Sequence, residues 1–421
     1  MADIFPFYGL RYNVKKIKNI NKIFAPPYDV ISPQEQKELY TQHPFNVIRL
    51  ILGKTTNKDN KKSNRYTRAA GFLNKWITDK ILVFDEKPAI YVYVQEYFMG
   101  KEKRTRLGFI ARMQFGEKRK ECLPHEQTLA KPKVDRLLLM RAVEANLSPI
   151  FSFYLDSKNT IENSFQPTIR KKPIIKFKDK YEITHKFWKI DDPEIIKKIS
   201  KLMKSKQAFI ADGHHRYEVS KMFRDEMLKK KMKNNGFNYC MVYFTGFNKQ
   251  NLSVLPTHRL VKNIPDLDAK VRSLDKYFKI TRFNDIKNLN LAQQKARGFS
   301  LGMYFKDKFY LLQMKDRVLL DRLMRKSPVE WRELDVAMLN KVVFEHIFKL
   351  NAAKKEENIY YTRDLDFAIK SVKKKQAAIA FFPNSTKAEQ VKKIALSGMR
   401  MPQKSTYFYP KPITGLVINK F

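Results

Sequence analysis

The run Asp212-Gly213-His214-His215-Arg216 has residue types and spacing that could bind a phosphate group. It follows the apolar segment "AFIA", and the pattern after it predicts a helix, so the run lies between a strand and a helix N-terminus. Backbone N–H groups point outward at such a position and bind anions, phosphate most readily. The chain has only 7 histidines, and two of them are adjacent here.

Each side chain of this run has a chemical use. Gly213 permits a tight turn or a positive φ, and Arg216 can donate two parallel hydrogen bonds to a phosphate. His214 and His215 can donate to phosphate oxygens or exchange protons near neutral pH. Asp212 can orient a histidine or hold Mg²⁺. A helix cap with buried histidines is the structural alternative, but the combination of residues favours a phosphate site.

A second candidate site is the block "LPHEQTLAKPKVDR", which contains His125, Glu126, Thr128, Lys131, Lys133 and Arg136. Phosphoryl transfer to an alcohol needs a carboxylate for the hydroxyl proton and cations for the moving phosphoryl group. Glu126 or Asp29 could be that carboxylate, with His125 as a further catalytic candidate. The basic residues and Thr128 would then bind substrate. An exposed charged loop is the alternative interpretation.

Three further blocks contain candidate residues, and each has a structural alternative. "APPYDVIS" places Tyr28 and Asp29 after two stiffening prolines, where Asp29 is a base, a metal ligand or a turn residue. "LPTHRL" offers His258 and Arg259 at a strand end, suited to a substrate carboxylate. "MPQKSTYFYPK" offers a lysine beside short hydroxyl side chains that suit a phosphate, or else a turn held by tyrosines: Lys404, Ser405 and Thr406.

The elements that position these residues alternate between strands and helices. "AIYVYVQEYFM" and "TRLGFIARMQF" predict a β-hairpin, and "NVIRLILG" predicts a short strand. "RYTRAAGFLNKWITDKILV" predicts a helix with Ala69, Leu73, Trp76 and Ile77 on one face. We expect a mixed α/β protein with three regions: 1–155, 156–265 completing the core with the phosphate loop, and 266–421 with a docked, aromatic-rich tail.

The bulk composition limits the class of protein. The 421 residues carry a net charge of +42, which indicates either a polyanion partner such as nucleic acid or a solvated, lysine-rich surface. No apolar run approaches the roughly 20 residues of a membrane span. The 2 cysteines lack metal-ligand spacing. We therefore expect a cytoplasmic protein with no membrane partner.

Several common catalytic signatures are absent from the sequence. It contains no G-x-x-x-x-G-K-[ST] loop, no G-x-G-x-x-G after a strand, and no G-x-S-x-G, H-E-x-x-H or C-x-x-C motif. A phosphate donor would therefore bind without the common nucleotide-binding loops. Pyrophosphate, or the phosphates of ADP or ATP, would fit a compact cationic pocket.

The run "DGHHR" resembles the phosphate loop of the ParB/sulfiredoxin superfamily. Sulfiredoxins have a catalytic cysteine before the His-Arg pair, where this chain has His214, so sulfinic-acid reduction is not implied. ParB proteins bind CTP and add a helix-turn-helix domain, which we do not find in the sequence. The remaining branch, kinases of free L-serine, keeps a His-His-Arg type loop, and it implies a ParB/sulfiredoxin-like catalytic core with additional α/β structure.

Nearly the whole chain resembles a microbial family called domain of unknown function ten-fifteen. The blocks that carry this resemblance are "FPFYGLRYN", "APPYDVIS", "NVIRLILGK", "RYTRAA", "LPHEQTLAKPKVDRL", "NLSPIF", "IADGHHRYE", "LPTHRLV" and "MPQKSTYFYPK". Together, the loop and the two resemblances indicate an enzyme that phosphorylates free L-serine or a similar small alcohol, with Mg²⁺ as cofactor. The alternatives are a nucleotide-dependent, DNA-binding regulator of ParB type and the reverse reaction, a phosphoserine phosphatase.

Overall fold

The computed structural model describes residues 1–116, 121–126, 128, 130–248, 251–402 and 404–421, except for the side chain of Lys131. The chain divides into two compact units. Unit 1 consists of Met1–Pro124, Thr128–Ser253 and Pro410–Phe421, and unit 2 of His125–Gln127 and Val254–Tyr409. Helices and strands are mixed throughout both units, so the predicted α/β class is confirmed.

Unit 1 is built on a large mixed sheet. Its main path runs through Cys122–Leu123, Ala208–Asp212, Ile150–Tyr154, Tyr239–Gly246, Glu102–Gln114, Ile90–Met99, Thr184–Ile190 and Ile175–Lys178, with Ile4–Phe5 paired to Glu102–Gln114. Two small strand pairs flank it: Leu10–Tyr12 with Leu82–Phe84, and Ala145–Asn146 with Asn419–Lys420. The strand before the phosphate loop is therefore an inner strand, with neighbours on both sides.

The predicted hairpin is confirmed. Strands Ile90–Met99 and Glu102–Gln114 pair antiparallel, with Met99 opposite Glu102. The short connection places Gly100 at φ 61°, which glycine adopts at little cost because it has no Cβ atom.

Unit 1 contains both long and short helices. They are Pro33–Gln42, Ile48–Ile51, Arg65–Thr78, Ala130–Val143, Thr160–Asn163, Gln166–Ile169, Pro193–Lys204 and His214–Lys229, with 3-10 turns at Ile20–Lys22, Tyr28–Val30 and Gly236–Asn238. Ser32 caps the first of these, because its side chain accepts a hydrogen bond from the Glu35 amide at 3.1 Å. Ala69, Leu73 and Trp76 are buried on one face of Arg65–Thr78, as predicted. Ile77 is only half-buried, and the end of the run predicted as helical forms part of the strand Leu82–Phe84.

One element differs from the prediction. The run "NVIRLILG" predicts a strand, but Ile48–Ile51 is a short helix. Asn46 favours this conformation: its Oδ1 accepts a hydrogen bond from the Ile48 amide at 2.9 Å, and its Nδ2 donates to the Lys22 carbonyl at 2.7 Å. The side chain thereby competes with strand pairing for the local backbone.

Two layers of packing hold the phosphate loop in unit 1. Apolar side chains from the sheet strands form one core cluster, which includes Ile210 from the strand before the loop and Tyr217 from the helix after it. A second cluster joins the helices Ala130–Val143 and His214–Lys229 through Leu137, Met140, Val219, Phe223 and Met227. The loop is thus held between a fully buried strand and a helix that is packed along its length.

Unit 2 has its own antiparallel sheet and core. The strand order is Phe278–Phe283, Lys308–Met314, Ser300–Phe305, Ile379–Pro383, His258–Val261 and Ile359–Thr362, and the short strands Ser253–Leu255 and Tyr407–Tyr409 lie outside it. Its helices are Leu267–Arg272, Ile286–Lys295, Val318–Leu323, Val329–Arg332, Asp335–Met338, Ala352–Asn358, Leu365–Lys373 and Ala388–Leu396, with a 3-10 turn at Ser273–Lys276 and a π-helix at Leu339–Ile347. Leu260, Leu289 and Phe382 are among its core residues.

Two sequence predictions concern membranes and thiols. In the described part of the chain, no helix combines the length and apolarity that a bilayer crossing requires. Cys122 and Cys240 are both free and buried. Burial raises the pKa of the Cys122 thiol to about 12, so it stays protonated at neutral pH.

Candidate phosphate-binding site

The candidate phosphate loop, Asp212–Arg216, lies between a strand and a helix, as predicted. The strand Ala208–Asp212 ends at the loop, and Gly213 caps the helix His214–Lys229 with φ 90° and ψ 27°, in the left-handed region. A Cβ atom on Gly213 would lie 2.9 Å from Arg216 Nη2, so the glycine also makes room for the guanidinium. His214 is buried and His215 is half-buried. The first turn of the helix, where amide donors and the positive end of the dipole are found, therefore begins directly at this loop.

The charged side chains of the loop form a chain of ion pairs within unit 1. Arg216 Nη2 donates to Asp212 Oδ2 at 2.7 Å, and Arg216 Nη1 donates to the Pro149 carbonyl. The other carboxylate oxygen of Asp212 accepts a hydrogen bond from Lys411 Nζ, which also contacts Asp29 Oδ2 at 2.8 Å. Asp29, Asp212, Arg216 and Lys411 thus meet at one place, although Asp29 and Lys411 are 382 residues apart in sequence.

Tyr28 and Arg136 belong to the same cluster. The Arg136 guanidinium lies 4.1 Å from the centre of the Tyr28 ring, and Arg136 Nη1 donates to the Ile51 carbonyl at 2.6 Å. Burial raises the pKa of Tyr28 to about 12; the charge of Asp29 adds to this effect, and those of Arg136 and Arg216 oppose it. Tyr28 is therefore a neutral phenol at physiological pH, and it is electrostatically coupled to the charged chain.

A cavity adjoins this cluster. Its lining is mostly aliphatic, and Tyr28, Arg136 and Arg216 contribute polar groups to it. The remaining lining residues are Ile51, Leu139, Met140, Val143, Ala145, Asn146, Leu147, Ser148, Ile150, Val219, Ser220 and Met241. The cavity volume is about 50 Å³, and the figure of about 510 Å³ for all the empty space around it includes open solvent. The chemistry of the lining suits a ligand with an anionic end and a less polar body.

Thr128 and Lys133 are joined by a residue that we did not predict. Thr128 Oγ1 donates to Glu218 Oε2 at 2.6 Å, and Lys133 Nζ donates to the same oxygen at 3.2 Å. Glu218 lies in the first turns of the helix that follows the phosphate loop. Two predicted substrate-binding residues of unit 1 are therefore tied to that helix. The side chain of Lys131 lies outside the described part of the structure.

The other predicted residues come together within unit 2. Glu126 Oε1 accepts a hydrogen bond from the Lys404 amide at 3.1 Å, and Arg259 Nη2 donates to the Lys404 carbonyl at 3.0 Å. Lys404 itself has φ 57°, a left-handed conformation that is uncommon for a residue with a side chain. His125 Nε2 and Thr406 Oγ1 are 2.9 Å apart. Unit 2 thus brings together residues from three predicted blocks: His125, Glu126, Arg259, Lys404 and Thr406.

Burial lowers the pKa of two residues in this unit 2 group. It lowers the pKa of the Arg259 guanidinium to about 10, an effect that the charges of Tyr361 and Glu126 oppose. It also lowers the pKa of His258 to about 4, and the Arg259 charge adds to this effect. His258 is therefore neutral at physiological pH. Ser405 Oγ donates to the Pro402 carbonyl at 2.6 Å, a bond typical of a turn.

The sequence matches the model of one family, described as "Protein of unknown function (DUF1015)", over residues 4–337. The chain belongs to this family. The resemblance predicted from the sequence blocks is thereby confirmed, whereas membership of the ParB/sulfiredoxin superfamily stays a prediction. A search of curated proteins found no match.

Solved structures similar to this DUF1015 chain include three with low sequence identity. A conserved hypothetical protein from Pyrococcus furiosus is 12% identical, with 71% of this chain and 90% of that chain covered and a TM-score of 0.36. A free serine kinase in complex with AMP is 12% identical, with coverages of 71% and 86% and a TM-score of 0.36. A C-terminally truncated SbnI from Staphylococcus aureus is 10% identical, with coverages of 73% and 86% and a TM-score of 0.38.

The predicted Mg²⁺ site can be compared with the side chains present. Mg²⁺ is commonly held by one or two carboxylates together with substrate phosphates. Asp29 and Asp212 supply two carboxylates, but Lys411 Nζ lies between them. No cluster of three or more acidic, histidine or cysteine side chains suited to a metal occurs among the described residues. The described arrangement therefore does not fit a metal held by the protein alone, and Asp212 as a Mg²⁺ ligand stays a prediction.

Proposed function

We propose that the protein is a phosphotransferase that moves a phosphoryl group from pyrophosphate, ADP or ATP to the hydroxyl group of a small metabolite. The acceptor that we propose is free L-serine, which would give O-phosphoserine. The choice of serine rests on the resemblance of the Asp212–Arg216 loop to the free-serine kinases. The choice of phosphoryl transfer rests on the geometry of unit 1.

The observation that carries the proposal is the placement of Arg216 and Lys411, each paired with a carboxylate, at a helix N-terminus. Gly213 turns the chain into the helix, and Arg216 and Lys411 are held beside it by Asp212. Helix N-termini favour phosphate oxygens through their amide groups and dipole. A planar guanidinium adds paired, directional hydrogen bonds, and an ammonium adds a compact charge. A terminal phosphate is the group that such an arrangement recognises best.

The proposed transfer uses these groups directly. The serine hydroxyl oxygen attacks the terminal phosphorus of the donor, and the bond from that phosphorus to the bridging oxygen breaks. The hydroxyl proton passes to a carboxylate, and the leaving group departs as phosphate, AMP or ADP, according to the donor. Arg216 and Lys411 bind the phosphate oxygens and stabilise the charge that spreads over them in the transition state.

Asp29 is our choice for the carboxylate that takes the proton. It lies in the same cluster as Arg216, and one of its oxygens is 2.8 Å from Lys411. Its side chain is 27% exposed, which leaves it accessible to a substrate. Glu126 belongs to unit 2, where its carboxylate accepts a hydrogen bond from the Lys404 amide. We therefore give Glu126 a role in holding the "MPQKST" turn.

The cavity beside the cluster supports a nucleotide as one of the donors. Arg216 lines it, so a phosphate bound at the loop would have the cavity next to it. The aliphatic lining would contact the less polar nucleoside part of such a donor. Pyrophosphate would use only the charged part of the site. Mg²⁺, if it takes part, would arrive with the donor and neutralise phosphate charge.

The experiment is a donor scan. The purified full chain is incubated with L-serine, Mg²⁺ and, separately, pyrophosphate, ADP, ATP and CTP, and ³¹P NMR follows the products. We expect O-phosphoserine with pyrophosphate or an adenine nucleotide, and none with the Arg216→Ala variant. Failure to form phosphoserine with every donor would refute the serine-kinase proposal. In that case the DNA-binding alternative, which predicts duplex affinity that falls steeply with salt, would be tested next.

A further inference from the structure

Lys411 lies at the centre of the charged cluster of unit 1. Its Nζ atom contacts one oxygen of Asp29 at 2.8 Å and one oxygen of Asp212. Only 7% of its side chain is exposed, compared with 14% for Asp212 and 27% for Asp29. A lysine ammonium is strongly hydrated, so its burial against two carboxylates is energetically favourable only if their attraction compensates for the lost hydration.

Side chains of other segments hold the backbone at Lys411. The Arg106 side chain is fully buried and donates to the Pro410 carbonyl, to Gln95 Oε1 at 3.2 Å and to the Asn251 carbonyl at 2.6 Å. Gln95 Nε2 in turn donates to the Lys411 carbonyl at 3.1 Å. Pro410 and Pro412 restrict the backbone on either side of the lysine. The backbone at Lys411 is therefore held by side chains from two strands of the large sheet.

Among the described residues, four linked side chains of the cluster have charges that balance. Asp29 and Asp212 supply two negative charges, and Lys411 and Arg216 supply two positive charges, all linked by direct contacts. A single atom that contacts an oxygen of each carboxylate occupies the position that a bridging divalent cation would take. Asp212 also has Arg216 as a second partner at 2.7 Å, whereas Lys411 is the cation that joins the two carboxylates.

We infer that Lys411 is a built-in cation of this site: its ammonium takes the place of a divalent metal between Asp29 and Asp212 and positions both carboxylates. Consequently, the carboxylate pair binds no divalent cation until the lysine is removed. A further consequence rests on the proposed function: the same ammonium contacts the donor phosphate. Lys411 is thus a positioning residue toward the two aspartates and a binding residue toward the donor.

The first test is a Mn²⁺ titration of the untagged full chain without any donor, with free Mn²⁺ followed by its EPR signal. We expect Lys411→Met to gain one Mn²⁺ site that binds about tenfold or more tightly than any site of the wild type, because the bridging charge is gone. Adding Asp212→Asn to that variant should abolish the site. Lys411→Arg, which keeps a cation, and Lys420→Met, a matched change in the same segment, should behave like the wild type.

Two outcomes would overturn the inference. One is a folded Lys411→Met variant that binds Mn²⁺ no better than Lys420→Met. The other is a wild-type Mn²⁺ site that Asp212→Asn removes, because it would show that the metal and the lysine do not exclude each other. This second comparison does not require the Lys411 variant to fold. Circular dichroism and thermal unfolding establish the folded state of each variant.

The consequence for the donor has a separate test. Pyrophosphate binding measured by calorimetry should weaken about tenfold or more in Lys411→Met and be largely retained in Lys411→Arg. If pyrophosphate binds equally well to the Met variant, Lys411 does not contact the donor. If the wild type binds neither pyrophosphate nor a nucleotide, the proposed function fails, and the Mn²⁺ result still decides whether Lys411 is the built-in cation.

Discussion

The replacement of Gly213 by alanine separates the backbone role of the phosphate loop from its binding role. Gly213 has φ 90°, where an L-residue pays roughly 1–2 kcal/mol. The new Cβ atom would also lie 2.9–3.1 Å from the Nη2, Cζ and Nε atoms of Arg216. Those atoms form the end of a flexible side chain. The guanidinium would therefore move aside, and the helix would stay folded. Gly213→Ala should therefore lower the free energy of unfolding by about 1–2 kcal/mol.

The displaced guanidinium should have a larger effect on binding. Hydrogen bonds to a charged group contribute about 1.5–3 kcal/mol, which corresponds to a roughly 10- to 100-fold weaker affinity for pyrophosphate. Gly100→Ala is the matched control: Gly100 also has a positive φ, 61°, but a Cβ atom there would contact nothing within 4 Å. The control should lose similar stability and bind pyrophosphate normally.

Urea unfolding followed by tryptophan fluorescence gives the stability of both variants, and calorimetry gives the affinities. The reasoning would be refuted if Gly213→Ala bound pyrophosphate as tightly as Gly100→Ala while losing the same stability. That result would mean that the position of Arg216 beside the loop does not affect the affinity for pyrophosphate.

Three further predictions concern the cavity, the proton acceptor and the pH dependence. Val143→Phe should fill part of the cavity and weaken ADP binding while leaving pyrophosphate binding unchanged, as measured by calorimetry; equal losses for both ligands would argue against a nucleoside in the cavity. Asp29→Asn should lower kcat by about 100-fold or more with little change in donor affinity, whereas Glu126→Gln should affect kcat less; the reverse order in the phosphoserine assay would make Glu126 the proton acceptor. Because the pKa of His258 is lowered from 6.5 to about 4, the unfolded chain takes up a proton that the folded chain does not as pH falls through this window. The free energy of unfolding should therefore decrease by up to about 3 kcal/mol between pH 6.5 and 4. Burial raises the pKa of Asp335 to about 6, so this group makes the free energy of unfolding increase as pH falls through an overlapping range. The difference between the wild type and His258→Gln in urea unfolding therefore isolates the contribution of the histidine. No difference between the two proteins would contradict the prediction.

The local signals in the sequence predicted the parts of the fold that local chemistry determines. The hairpin around Gly100 follows from turn preferences, and it is present. The position of Asp212–Arg216 between a strand and a helix follows from the change of hydrophobic period, and the structure confirms it. These features depend on contacts between residues that are close in sequence.

The strand predicted at Ile48–Ile51 is wrong because the conformation there depends on a contact outside the local sequence. A continuous apolar run has no period that distinguishes a buried strand from a buried helix. The deciding contact comes from Asn46, whose side chain also bonds to the carbonyl of Lys22, a residue 24 positions earlier. A sequence pattern read in a short window does not contain this information.

The cluster around the phosphate loop could be predicted only in part. The residue types of the loop, Tyr28, Asp29 and Arg136 stand out because of their blocks, and unit 1 brings them together. Lys411 ends the block "MPQKSTYFYPK" and is flanked by two prolines, but the candidate residues of that block are Lys404, Ser405 and Thr406. Nothing local distinguishes Lys411 from the other members of a set of 84 lysines and arginines, and its pairing with Asp29 spans 382 residues.

The most direct measurement of the central claim is phosphoserine formation by ³¹P NMR, with the wild type and Arg216→Ala compared side by side. The account predicts that the wild type converts L-serine and one of the donors to O-phosphoserine. It also predicts that the Arg216 variant, folded by circular dichroism, forms none because it no longer holds the donor phosphate. Equal phosphoserine formation by both proteins, or no product from the wild type with any donor, would contradict it.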